Sequence, residues 1–205
     1  MTNSLYEKLF PLTTIMKQRV VENFTGDSLD TDRWTQETVT GSPTFGMNDS
    51  GSFIKTGTVI NGSGAFSFNV IRQFAYNGAV YITVAKQTST SNTRLSGGFM
   101  ATSVATGGTQ SVFQGDTILD TNYRLQNSYS GGTTNTSSST AVDTSFHTHK
   151  IENKASSIDY SVDGATVVTS TTNLPNLNQQ PMITVVTRDT VESEMTVRYM
   201  ECYNT

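Results

Sequence analysis

From Arg19 onward apolar and polar residues alternate with a period of two, the pattern of strands that turn one face to a core. In Ala79-Val-Tyr-Ile-Thr-Val-Ala-Lys86, Val80, Ile82 and Val84 point one way and Tyr81, Thr83 and Ala85 the other. Bulk on both sides predicts a central strand covered on both faces. Similar stretches recur at 52–60, 65–71, 97–104, 122–126, 146–153, 157–162, 182–187 and 194–203, separated by Gly, Asn-Gly, Asp-Gly and Pro turn signals. Many short strands at turn-marked spacing predict an all-β sandwich or barrel. Asp163-Gly164, between Ile158-Asp-Tyr-Ser-Val162 and Ala165-Thr-Val-Val-Thr169, is a hairpin signal, because a type I′ turn needs positive φ at both central positions. The runs 87–93 and 127–140 are too polar to bury and are expected to be exposed loops.

Residues 1–18 break this pattern. Ser4 and Glu7 have capping-box spacing, and Leu5, Tyr6, Leu9 and Phe10 form an apolar stripe that Pro11 cuts short. So short a helix is marginal alone, and with Leu12, Ile15 and Met16 it carries more apolar surface than it can bury against itself. The segment is expected to be an arm, folded on its own domain or docked on a partner, with 19–205 as the β-domain.

Composition narrows the class. Only 15% of the 205 residues are charged, and 13 Lys and Arg against 17 Asp and Glu give a net charge of −4 without a basic cluster, which argues against direct nucleic-acid binding. The lone Cys202 lies in a strand-like segment and is expected to be a small buried hydrophobe. No stretch has the length of a membrane span or the form of a secretion signal, so neither membrane insertion nor export is expected. Sequons beginning at Asn23, Asn48, Asn61 and Asn135 are ascribed to the abundance of Asn, Ser and Thr.

Two segments resemble concanavalin A-like jelly-roll domains of the laminarinase and β-glucanase kind. The first, Glu22 to Trp34, carries Phe24, Gly26, Leu29, Asp30 and Trp34 in a Phe-x-Gly-x-x-Leu-Asp-x-x-x-Trp pattern. The second, Phe146 to Gly164, carries Phe146, His147, Ile151, Ile158, Val162, Asp163 and Gly164. Both occur in the family's order, and Pro181-Met182 before an apolar strand fits the same template. The resemblance implies two antiparallel sheets with Trp34 as an apolar plug whose indole N–H needs a partner. His149 and Asn153 stand where the family has Tyr and Trp, so an aromatic platform is not expected there.

The family's retaining hydrolases draw two carboxylates from a Glu-x-Asp-x-x-Glu strand. That motif is missing here, and no Asp or Glu lies between Asp49 and Asp116, so the chain is expected not to be an enzyme. Glu192 and Glu194, at i and i+2, are expected in a solvated turn, although they are the nearest thing to a displaced acid/base pair. His147 and His149 share one strand face and could fill two positions of a zinc or copper site, but no third ligand is evident. Asp27, Asp30, Asp32 and Asp49 offer oxygens for calcium or, without the spacing of a defined loop, cap turns. No cofactor is expected.

Two functional readings remain. The first is a non-enzymatic structural protein of a virus particle, a phage capsid decoration or surface protein made in a host cytoplasm. It would dock on a capsid or other virion protein, or on copies of itself, through Leu5, Tyr6, Leu9, Phe10, Leu12, Ile15 and Met16. The second is a glycan-binding module in which Tyr76, Tyr81, Tyr123 and Tyr129 stack on sugars, unless those rings are core.

Overall fold

The computed structural model describes residues 19–25, 28–69, 74–101, 108–129 and 131–205, and the arm 1–18 lies outside them. Fifteen strands and no helix make up the described chain: β1 (Arg19–Glu22), β2 (Trp34–Thr40), β3 (Thr44–Asn48), β4 (Gly51–Lys55), β5 (Ser63–Phe68), β6 (Ala79–Gln87), β7 (Thr93–Met100), β8 (Gln110–Asp116), β9 (Asn122–Tyr129), β10 (Gly132–Ala141), β11 (His147–Asn153), β12 (Ile158–Val162), β13 (Ala165–Ser170), β14 (Gln180–Thr187) and β15 (Glu194–Asn204). All pairings between them are antiparallel.

An eight-stranded sheet runs β13-β12-β11-β6-β15-β4-β3, with β1 added to β15, and a seven-stranded sheet runs β10-β9-β8-β7-β14-β5-β2. The expected jelly-roll sandwich is therefore the observed one. β6 sits between β11 and β15, as its pattern requires, although Ile82 and Val84 on its outer face stay half-exposed. Asp163 and Gly164 have φ of +50° and +84° and close the β12–β13 hairpin as the turn chemistry demands.

The core lies between the sheets. Tyr81 of β6 packs edge-on against Phe99 of β7 at 5.7 Å and lies 6.5 Å from Phe113 of β8, while its hydroxyl donates to the Met182 carbonyl of β14 at 3.2 Å. One side chain thus ties the two sheets together. Phe24 and Trp34, fully buried with ring centroids 5.8 Å apart, close one end, and the Trp34 indole N–H finds its partner in Glu22 at 3.3 Å. Each such aromatic contributes roughly 1.5–3 kcal/mol by burial. Cys202 is fully buried, and burial pushes its thiol pKa well up, so it stays protonated as the sequence suggests.

Two expectations are corrected. The run 127–140 is mostly strand: β9 continues to Tyr129, and β10 follows from Gly132. Asn127 and Ser138 are even buried, but β10 is the outermost strand, so its backbone pairs with β9 while most of its Thr and Ser side chains alternate into solvent. The run 87–93 is corrected only at its ends, which belong to β6 and β7, while 88–92 form the expected loop between them.

Candidate functional site on the seven-stranded sheet

Strand periodicity assigns the two faces of this sheet. Leu95, Phe99, Phe113, Leu125, Ile183 and Val185 point into the core, so Arg94, Ser96, Gln114, Asp116, Arg124, Gln126 and Thr184 point outward. The pairing sets Arg94 opposite Asp116, Ser96 opposite Gln114, and Gln114 opposite Arg124. Met100, Val112 and Met182 form a small apolar cluster of their own, apart from the main core.

A hydrogen-bonded strip crosses this face. Arg124 grips the Gln114 side-chain carbonyl through Nε at 2.9 Å and Nη2 at 2.6 Å. Gln114 and Gln110 both donate to Gln126 Oε1, at 3.0 and 2.7 Å, and Gln126 donates onward to Asn135 Oδ1 at 2.9 Å. At the Gln110 end the strip meets an open depression of about 510 Å³ bordered by Gln110, Ser128, Tyr129 and Thr133. At the other end Arg188 Nη2 donates to the fully buried Asp116 carboxylate at 2.6 Å. From Gln110 to Asp116 the strip is roughly 20 Å long at the rise of a strand.

Several polar atoms on this face have no hydrogen-bond partner: Ser96 Oγ, Asp116 Oδ1, and Nε of Arg94 and Arg188. Burial, reinforced by the charge of Arg188, lowers the Arg94 pKa to about 10. Buried polar groups are ordinarily satisfied, so these atoms stand out, although each is closed to solvent as it stands. Of the residues of this site, sequence reasoning named only Tyr129 as a candidate contact. For the rest the available signal was the alternation of polar side chains at 94, 96, 114, 116, 124 and 126.

The tyrosines named from the sequence separate into two groups. Tyr81 and Tyr123 are fully buried, so their rings serve the core and offer no stacking surface. Tyr76 and Tyr129 are exposed, and Tyr129 borders the depression, where its hydroxyl accepts a hydrogen bond from Asn176 at 2.7 Å. The arm residues Leu5, Tyr6, Leu9, Phe10, Leu12, Ile15 and Met16 lie outside the described residues.

The histidines do share a face, with ring centroids 6.1 Å apart. His149 is wholly buried, stacked on Phe113 at 4.0 Å, with Nδ1 2.9 Å from the Tyr160 hydroxyl. His147 lies between Asp163, 2.6 Å from Nδ1, and Asp143, 3.0 Å from Nε2, so both ring nitrogens are occupied. Asn153 is buried too and donates to Gln179 at 2.9 Å; with His149 it faces the core rather than a platform. Glu192 and Glu194 both reach Lys55, at 3.7 and 3.4 Å. Asp30 accepts the Asp32 amide at 3.1 Å in a capped turn, and Asp27 lies outside the described residues.

Among the described residues the outward carboxylates of this sheet are Glu37 on β2 and Asp116 on β8. Three strands stand between them, which places them about 19 Å apart at ordinary strand spacing. That is wider than the carboxylate separations of about 5–9.5 Å that glycosidases use.

No family model and no curated protein sequence matches the chain. Solved structures do. The catalytic domain of an endo-1,3-β-glucanase (laminarinase) from Thermotoga petrophila aligns with a TM-score of 0.62 at 12% identity, over 92% of this chain and 98% of that one. The Crh5 transglycosylase aligns with a TM-score of 0.64 at 17% identity, over 91% and 84%. A pseudo β-1,3-glucanase of Mycobacterium tuberculosis aligns with a TM-score of 0.65 at 10% identity, over 91% and 98%. The fold is that of the laminarinase-like β-glucanases.

These neighbours overturn the expectation that the chain is not an enzyme, because they include a glucanase and a transglycosylase. The missing motif spoke only to one arrangement of carboxylates, and the fold itself is one that carries glycoside chemistry. The virion-shell reading gains nothing from them. The glycan-binding alternative does.

Proposed function

We propose that this protein is a carbohydrate-active module that lays a polysaccharide along the outer face of the seven-stranded sheet. The observation that carries this reading is the continuous strip of Gln110, Gln114, Gln126 and Arg124, which opens at one end into the depression beside Tyr129. Amides and guanidinium groups held on rigid strands suit the hydroxyl-rich surface of a glycan, and an exposed aromatic at the rim suits the apolar face of a sugar ring. A strip of roughly 20 Å matches a chain better than a single sugar. The glucanase-like fold supports the same substrate class.

Titration of laminarin and other soluble polysaccharides into the purified protein tests this directly. Binding that weakens in Gln126→Ala and Tyr129→Ala, with melting temperature unchanged, supports the reading, and equal binding by both variants refutes it. Assay of reducing ends in the same mixtures reads out glycoside cleavage.

A further inference from the structure

One corner of the proposed glycan strip has a charge composition that neutral sugars do not require. Arg94, Arg124 and Arg188 converge around Asp116, and each of these guanidinium groups influences its neighbours electrostatically. Asp120 is the other carboxylate felt by Arg124, and it is already engaged by the Ser137 hydroxyl and the Asn122 amide. Three cations therefore face two carboxylates in a chain whose net charge is −4. Arg124 is spent on the neutral Gln114 carbonyl, and Arg188 on one oxygen of Asp116.

Arg94 is the exception. It stands opposite Asp116 in the β7–β8 register, half-buried, and its guanidinium makes no hydrogen bond or ion pair among the described residues. The second oxygen of Asp116, itself fully buried, is also without a partner. A half-buried guanidinium left unpaired is costly, and its planar fork is shaped to take an oxyacid in two parallel hydrogen bonds.

We propose that the Arg94–Arg188 corner is a subsite for an acidic group carried by the glycan, a uronate carboxylate or a sulfate ester. This inference rests on the sheet-face reading above and specifies its substrate class. Arg94 supplies the unspent fork and Arg188 the second positive charge. Asp116, itself closed off from solvent, fixes Arg188 in place.

Titration of the full chain with polygalacturonate, a sulfated galactan and laminarin at low salt tests it, with the melting temperature of each variant recorded alongside. The expected result is that one acidic polymer binds at least about tenfold more tightly than laminarin, the scale of one charge-assisted pair, and that added salt erodes the difference. Arg94→Gln is expected to bring the acidic polymer down to the laminarin level without lowering the melting temperature. Competition on the wild-type protein needs no variant: galacturonate or inorganic sulfate, whichever matches the preferred polymer, displaces it, and galactose does not. The two acidic polymers distinguish a uronate from a sulfate. Laminarin bound as tightly as either acidic polymer, with Arg94→Gln indifferent, overturns the acidic subsite and leaves the sheet-face reading standing. Failure of all three polymers to bind overturns the sheet-face reading as well.

Discussion

Arg94 and Asp116 stand directly opposite one another across β7 and β8, yet the carboxylate is held at 2.6 Å by Arg188, and Arg94 is left unpaired. Asp116 is therefore the anion around which three guanidinium groups are tolerated. Removing its charge exposes their mutual repulsion in a partly desolvated place. Asp116→Asn is expected to cost about 3 kcal/mol of stability, as breaking a buried pair does. Arg94→Gln in that background is expected to recover roughly 1 kcal/mol by relieving the repulsion. Urea unfolding of the four members of this double-mutant cycle measures it, and strictly additive effects would refute the coupling.

Gly98 of β7 has φ of +144°, a conformation that L side chains rarely adopt. A Cβ there would lie 2.3 Å from the Ser111 carbonyl oxygen and 2.9 Å from Val112 Cα, both backbone atoms of β8 that cannot swing aside. Gly98→Ala is expected to destabilise the protein by more than about 2 kcal/mol and to loosen the strand pair that carries Arg94 and Asp116. Thermal unfolding reads the first effect. Amide exchange in β8 reads the second, and wild-type protection there would contradict it.

The parts of this fold that were legible in the sequence are those where inward bulk is dense. β6 offers Tyr81 and Ala85 to the core and Val80 to the other side, and the β12–β13 hairpin advertises its turn with Asp163-Gly164. β8 escaped notice because Phe113 is its one large inward side chain, flanked by Ser111 and Gly115. Its outward side chains are Val112 and the amides and carboxylate of the site itself. β10 escaped because an edge strand needs no apolar face. Whether Tyr81 and Tyr123 stack on sugars or fill the core stayed open in the sequence, because alternation assigns residues to faces without saying which face is the core, and the structure puts both rings in the core.

His147 sets up a pH optimum. Partial burial pulls its pKa down, but hydrogen bonds and charge from Asp163 and Asp143 outweigh that and raise it; the Asp143 carboxyl is lowered first by the Ser145 amide and then by His147, and His147 lowers the Asp163 carboxyl against its own burial. The histidine's contribution is complete below its unfolded value of about 6.5 and is lost as pH rises through the raised folded value. The carboxylates' contribution is complete above about 3.9 and is lost as pH falls through their lowered values. Both carboxylates are half-exposed, so the whole cluster contributes about 1 kcal/mol or less. His147→Ala is expected to remove this stabilisation most visibly between about pH 4 and 6.5. Chemical denaturation across that range checks it, and a pH-independent difference from wild type would contradict it.

His149 acts in the opposite sense. It is enclosed by Phe113, Tyr123 and Tyr160, with Nε2 lacking a partner, and burial, helped by the charge of His147, lowers its pKa to about 3. In the unfolded chain it takes up a proton near pH 6.5, so from there down to about pH 3 the unfolded state binds more protons than the folded one. Stability therefore falls with acidity by up to about 1.4 kcal/mol per pH unit from this residue alone. His149→Phe keeps the stack on Phe113 but leaves the Tyr160 hydroxyl unpaired, which is expected to cost about 1–2 kcal/mol at pH 7. The variant has no proton to take up. Its stability is expected to decline less steeply than wild type between pH 6.5 and 4, so that the two curves converge or cross in acid. Urea unfolding at pH 7, 6, 5 and 4 tests this, and parallel curves would show that His149 is protonated as readily in the folded protein as in the unfolded one.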